Sequence, residues 1–255
     1  MLGAPLSSQR YRSRRAPQEA LRQRLRELAL IRLRWGYRRL YRVLTREGLR
    51  VNVKRVYRLY REEGLAVRRR KRKRVAVARQ PMLVPTRLNE CWAMDFMSDV
   101  LSSGRRYRVF NVVDVLSREA LAAEVDTSLP AARVIRALEE IAIMRGYPTR
   151  ITLDNGPEFR GMALDTWAYE HGVVLDFIQP GKPIQNSVVE SYNGRMRDEL
   201  LNLHWWRTIA EAREAIDAYR QDFNEVRPHS GLGHKTPSEF ARHYAVNSNP
   251  QRLAS

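Results

Sequence analysis

Three acids in this 255-residue chain have the type and spacing for metal-assisted chemistry: Asp95 in WAMDFMSDV, Asp154 in ITLDNGPEF and Glu190 in QNSVVESYNGRMRDEL. Thirty-five residues lie between Asp154 and Glu190, room for a helix, a strand and a turn that return the second acid to the first. Carboxylates drawn from distant positions offer only hard oxygen donors. They suit a pair of divalent cations roughly 3.5–4 Å apart with space for a phosphate between them. A phosphodiester substrate follows from that chemistry. Taken singly, each acid has a plainer reading, since Asn155-Gly156 makes DNG an Asx turn in its own right. Asp95 is harder to explain away, because an unpaired carboxylate among apolar neighbours is costly unless a cation or a donor meets it.

The elements that must position these acids begin at Glu90, where CWAMDFMSDV, RRYRVFNVVDV and REALAAEVD predict three strands joined by short turns. A helix from Pro130 to about Arg145 and a fourth strand, RITL, follow. Further helices are expected at about 161–171, 183–202 and 208–225, with a short strand VVLDFI between the first two. This describes an α/β mixed sheet with a crossover helix and flanking helices, the order of a ribonuclease-H-like fold. Asp95 then lies mid-strand, and the tight DNG turn directs Asp154 off the sheet end. On the third of these helices Asn186, Glu190, Asn193/Gly194 and Arg197 recur every three or four residues, so acid, amide and guanidinium share one face. Asp99 and Asp114 are spare candidate ligands near the same sheet.

The net charge of +18 sits at one end: residues 1–80 hold 26 Lys/Arg against 5 Asp/Glu, net +21, and the remainder holds 20 against 23, net −3. A cationic arm on a near-neutral body implies a polyanion partner, because Lys and Arg displace counterions condensed on nucleic acid. Residues 17–34 place Leu21, Leu25, Leu28 and Ile31 or Leu33 at helical spacing. A second helix runs from Tyr37 to Arg46 and stops at Gly48; Asn52 caps a third, which ends at Gly64 and carries the stripe Val53, Val56, Tyr57 and Tyr60. Its Lys54, Arg55, Arg58 and Arg61 are expected to face outward, as in a helix-turn-helix unit offering side chains to the major groove. The run Arg68, Arg69, Arg70, Lys71, Arg72, Lys73 and Arg74 follows as a phosphate-tracking linker. Near the acids, Asn155, Lys182, Asn193 and Arg197 are DNA-contact candidates. Arg227 and His229 either touch phosphate or cap, and Trp205 and Trp206 are expected in the core rather than as stacking platforms. The divisions expected are residues 1–67 (helix-turn-helix), 68–88 (basic linker), 89–226 (catalytic core) and 227–255 (C-terminal extension).

A single cysteine, Cys91, excludes a disulfide framework and a cysteine-rich zinc site. No stretch approaches the length of a membrane span, so a cytoplasmic, nucleoid-associated protein with no membrane partner is expected.

The blocks WGYRRLYRVLTREGLRVNVKRVYRLYREEGL, WAMDF, ITLDNGPEF, IQPGKPIQNSVVESYNGRMRDELLN and FNEVRPHSGLGHKTPSEF together resemble the OrfB-type transposases of the third insertion-sequence family, within the DDE integrase-core superfamily. The likeness spans nearly the whole chain. It implies two Mg²⁺ or Mn²⁺ ions on Asp95, Asp154 and Glu190, with Arg197 at the basic position after the glutamate. It also implies strand cleavage and 3′-OH strand transfer on double-stranded DNA, namely the element's terminal inverted repeats and the target. A homo-oligomer on paired ends, and an upstream-frame OrfA-type partner or fusion, belong to the same expectation. The competing readings are a catalytically silent DNA-binding derivative and a ribonuclease-H-like nuclease.

Overall fold

The structure, a computed structural model, describes residues 18–67, 85–156, 159, 161–178 and 186–247. The chain divides into two compact units, Met1–Arg69 and Arg70–Ser255.

The smaller unit is three helices, α1 (Glu19–Ile31), α2 (Tyr37–Arg46) and α3 (Val53–Glu62). Local chemistry sets their ends: the Asn52 carboxamide oxygen accepts the Lys54 backbone N–H at 2.8 Å, opening α3. Gly48 (φ +86°) and Gly64 (φ +68°) take the left-handed turns that close α2 and α3. Leu25, Leu28, Trp35, Leu40, Leu44, Val56, Leu59 and Tyr60 form the core. Two expected stripes shift. On α3, Leu59 is buried while Val53 and Tyr57 are 37% and 45% exposed, because apolar residues at 53, 56, 57, 59 and 60 permit two adjoining faces and packing selects the one containing Leu59. On α1 the core ends at Leu28, leaving Ile31 and Leu33 exposed. Arginines of α1 brace the neighbouring helices: Arg22 pairs with Glu62 and Glu63, and Arg24 with Glu47 at 2.6 Å.

The larger unit is built on a five-stranded sheet, ordered β3-β2-β1-β4-β5. Its elements are β1 (Cys91–Val100), β2 (Arg106–Asp114), β3 (Ala120–Asp126), α4 (Ala131–Arg145), β4 (Arg150–Leu153), α5 (Met162–Glu170), β5 (Val174–Phe177), α6 (Ser187–Met196), α7 (Ile209–Glu225) and α8 (Pro237–Asn247). Strands β1, β2 and β3 are antiparallel neighbours, whereas β4 runs parallel to β1 and β5 parallel to β4, as the crossover helix requires. Alternation along β1 feeds two cores. Trp92 and Met94 pack with Leu138, Ile151 and Trp167 on the α4/α5 side. Ala93 and Met97 pack with Val189, Tyr192, Ile216 and Phe223 on the α6/α7 side. Asp95, in the odd-numbered row, therefore projects toward α6. Among the described residues no helix is long and apolar enough to cross a membrane.

Candidate active site

Asp95 stands on the central strand opposite Asn111 of β2, half-buried. One carboxylate oxygen accepts the Phe96 backbone N–H at 2.8 Å and the other accepts the Asn193 side-chain N–H at 2.9 Å. Asn193 in turn accepts a 2.8 Å hydrogen bond from the buried Asn111 amide, so a chain of amides from β2 through α6 ends on the carboxylate. Burial, and secondarily the charge of Asp154, push the Asp95 carboxyl up to about 6 despite those two stabilising bonds.

Asp154 follows β4 immediately. Since Ala93 is paired with Thr152, continuing the parallel register sets Asp154 beside Asp95. Its carboxylate accepts the Gly156 backbone N–H at 2.9 Å, an Asx turn, and the Asn155 amide donates to the Ile178 carbonyl at 2.6 Å, tying this turn to the end of β5. Farther along the loop, the buried Phe159 stacks on Phe96 with ring centroids 5.0 Å apart, and Phe96 also meets Phe110 at 5.1 Å. The Asp154 loop is thus clamped to the residue next to Asp95. Arg108 covers the Phe96 ring at 4.2 Å. Phe159 was not singled out from the sequence; its signal is the one large apolar residue that ends ITLDNGPEF.

Glu190 lies in the first turn of α6 and is exposed, while Val188, Val189, Tyr192 and Met196 bury the opposite side of the helix. Burial and the Asp154 charge raise its carboxyl too. The three acids therefore feel one another electrostatically, with Asp154 common to both shifts. Among the described residues, no three carboxylate, imidazole or thiol groups close tightly enough to hold a metal ion by themselves.

The polar stripe of α6 is turned onto β1. The buried Asn186 donates to the Met94 carbonyl at 3.3 Å, Asn193 to Asp95, and Arg197 to the Ser98 carbonyl at 3.0 Å. After Met196 the helix widens into a π turn, Arg197–Leu201. Glu199 of this turn forms an ion pair with Arg227, which is buried, and His229 packs edge-on against Phe223 at 4.7 Å. Neither Arg227 nor His229 lies at a surface where a phosphate would meet it; both brace α7 and the residues after it from inside. Asp114 closes β2 opposite Trp92, so it belongs to the other row of the sheet from Asp95, and it is fully buried, accepting from Ser117 and Asn89. Asp99 accepts the Val100 backbone N–H. Trp206 packs on the core as expected, but Trp205 is 87% exposed, because adjacent residues of the extended loop point opposite ways. Of the other expected contacts, Lys54, Arg55 and Arg61 are exposed on α3, and Arg58 pairs with Glu62 at 3.1 Å. Residues 68–74 and Lys182 lie outside the described residues.

The chain matches two integrase core domain families, over residues 85–183 and 171–237, and an HTH-like domain family over residues 17–73. It is 52% identical over 234 residues to the insertion element IS407 31.7 kDa protein of Burkholderia multivorans, covering 91% of this chain and 84% of that one. The chain belongs to the OrfB-type transposases of the third insertion-sequence family. The IS476 39.2 kDa protein of Xanthomonas euvesicatoria is 43% identical to this transposase-family chain over 89% of its length, and the match spans 66% of that longer relative. The transposase for insertion sequence element IS629 of Shigella sonnei is 27% identical over 87% of this chain and 78% of that one. Among solved structures, a chain of the simian T-cell lymphotropic virus intasome, in complex with a PP2A regulatory subunit, superposes with a TM-score of 0.55 at 15% identity. That match covers 86% of this chain and 74% of that one, and it identifies the shared fold: a ribonuclease-H-like integrase core in a chain that also carries a helical HTH-like region.

Proposed function

We propose that this transposase-family chain cuts DNA strands at the ends of an insertion sequence and joins the freed 3′-OH to target DNA, with Asp95, Asp154 and Glu190 as the catalytic acids. The observation that carries the reading is a meeting of strand, turn and helix: the β1–β4 register runs Asp154 beside Asp95, Asn193 of the Glu190 helix bonds the Asp95 carboxylate, and burial together with the Asp154 charge raises both Asp95 and Glu190. Ionised acids gathered at one place lower stability, and a fold retains them where a cation offsets the repulsion. The donor set fits magnesium or manganese: it is all carboxylate oxygen, and neither His nor Cys is among the three. Two such ions on Asp95, Asp154 and Glu190 would supply activation of water or a 3′-hydroxyl and stabilisation of the departing 3′ oxygen.

The chain's own residues supply the positioning. Asn193 holds the Asp95 carboxylate from below through the amide chain, so we assign it to orientation rather than to the DNA contact expected from its place on the helix. Arg197, bonded to the β1 backbone, keeps a guanidinium beside the path a strand takes past the acids. Phe159 and Asn155 fix the Asp154 turn from both sides, and Asn155, exposed, is also within reach of a sugar-phosphate backbone. The α3 cations Lys54, Arg55 and Arg61, with the basic run 68–74 and Lys182, provide the double-stranded DNA contacts. The working form is a homo-oligomer on paired ends, with an OrfA-type partner or fusion, in the bacterial cytoplasm.

The test is a strand-transfer assay with labelled element-end duplex and Mg²⁺. This reading expects both cut and joined products, and the loss of both on Glu190→Gln with binding retained. Cutting without joining identifies a nuclease, binding without cutting a silent derivative, and full activity in Glu190→Gln removes the assignment.

A further inference from the structure

Of the five tryptophans, Trp35, Trp92 and Trp167 are buried and Trp206 packs on the core of the larger unit, yet Trp205 is 87% exposed. A tryptophan carries a large apolar surface that folding normally turns inward. The loop that presents it is held firmly. The Ser102 N–H of the β1–β2 hairpin donates to the Trp206 carbonyl at 2.8 Å, and the His204 ring stacks on Trp206 with centroids 5.6 Å apart. On the other side, Thr208 accepts the Glu211 N–H at 3.2 Å while the Glu211 carboxylate accepts the Arg207 N–H at 2.9 Å, a reciprocal cap at the start of α7. Trp205 projects from this fixed loop as a ring aimed at solvent.

Its neighbours along the chain are cationic. Residues 101–107 of the hairpin and 202–208 of the loop contain Arg105, Arg106 and Arg207, all exposed, while the acid that reaches this loop, Glu211, is committed to the cap through the Arg207 N–H. An aromatic ring among guanidiniums suits a polyanion whose units also have stackable faces, whereas a purely apolar partner surface leaves those charges unanswered. Ten residues of α6 and its π turn lie between Glu190 and Leu201, so eleven helical rises of about 1.5 Å, roughly 17 Å, carry the chain from the acid to the start of the loop. The loop follows directly, still within one bound duplex of the acids.

We infer that Trp205 is a DNA contact of this transposase: its ring stacks on an unpaired or splayed base beyond the stretch served by Glu190, with Arg105, Arg106 and Arg207 on the adjoining phosphates. This rests on the DNA-processing reading above. The full chain is titrated with a fluorescein-labelled DNA duplex bearing a short single-stranded end, and binding is followed by anisotropy. In parallel, quenching of tryptophan emission by acrylamide is measured with and without DNA. The expected result is an acrylamide-accessible component that Trp205→Phe lacks and that saturating DNA protects. Trp205→Ala should weaken affinity for the overhang duplex about ten-fold or more, with Trp205→Phe restoring most of it and the melting temperature unchanged. A saturated complex in which the accessible component stays exposed overturns the inference. So does protection that exists without DNA and disappears on protein dilution, since a second copy then covers the ring. If Trp205→Ala binds and cuts as the parent does while Glu190→Gln loses cutting, this inference fails and the catalytic reading stands; if no variant nor the parent binds DNA, both fall.

Discussion

Carboxylates behave in opposite ways in the small unit and at the candidate site of the larger one, where Asp95 and Glu190 differ even from Glu90 and Glu139, whose hydrogen bonds hold them low. In the small helical unit Glu47 and Glu62 are each grasped by an α1 arginine, Arg24 and Arg22, and hydrogen bonding holds their carboxyls below the usual range. In the larger unit Asp95 and Glu190 face burial and another acid, and both shift upward. Acids of the small unit fasten helices together, whereas at the candidate site Asp95 and Glu190 are paired with no guanidinium among the described residues and face Asp154. A guanidinium was at hand: Arg197 follows Asn193 by one turn on the same helix face but bonds the Ser98 carbonyl, and Asp95 receives only neutral donors, the Phe96 N–H and the Asn193 amide. Acids paired with guanidiniums mark the scaffold, and acids facing one another mark the candidate site.

The sharpest way to break this contrast is Asp154→Asn. It should reduce cutting and joining on the order of 10³-fold or more, measured by product formation at saturating Mg²⁺, while the melting temperature holds or rises. A fall in melting temperature alongside lost activity would make Asp154 a turn residue. Asn193→Ala is expected to cost about 10–100-fold in rate with little change in DNA affinity, because it frees the Asp95 carboxylate to rotate. Retention of full rate removes the positioning role, whereas a rate lost only through weaker DNA binding returns Asn193 to the interface.

Stability against pH sharpens the comparison further. The Asp95 carboxyl is near 6 when folded, against about 3.9 when unfolded, so below about pH 4 it is neutral in both states and imposes no penalty. As pH rises the unfolded chain ionises first, and the folded state loses stability progressively until about pH 6, above which the loss is complete. Asp95→Asn should therefore stabilise the metal-free protein at pH 7 by about 1–3 kcal/mol and by almost nothing at pH 3.5 or so; urea melts at the two pH values measure it, and equal effects at both would refute the assigned cause. The smallest effect belongs to the helical unit: Arg24→Ala should cost only about 0–1 kcal/mol, since its partners are exposed. Lys54→Ala, by contrast, should leave stability alone and lower the salt slope of DNA affinity by about 0.9 if the side chain meets a phosphate.

What the sequence disclosed was local or periodic. Asn52 as a cap, Gly48 and Gly64 as stops and the alternating strands around Asp95 depend on near neighbours, and the strand order followed from short connections. The choice between Tyr57 and Leu59 for the α3 core depends on which face α1 and α2 offer, and no spacing within a ten-residue helix encodes that. Asn193 and Arg197 were visible as one face of a helix, but that they turn onto β1 depends on residues about a hundred positions upstream. Arg227 and His229 carry the outward signature of phosphate contacts; the partners that bury them, Glu199 and Phe223, belong to separate segments. Trp205 and Trp206 differ in which of the two the loop turns onto the core, and the Ser102 N–H that holds this loop belongs to a hairpin about a hundred positions upstream.

The π turn at Arg197–Leu201 has a mechanical meaning. An extra residue accommodated in one turn offsets the angular phase of everything downstream by about 100°, so the half of the helix bearing Glu190 and the half bearing Glu199 address different neighbours. The turn acts as a gear: trimming one residue from it would restore uniform winding yet swing the Glu199–Arg227 clasp out of mesh, while the half bonded to β1 through Asn186 and Asn193 kept its place.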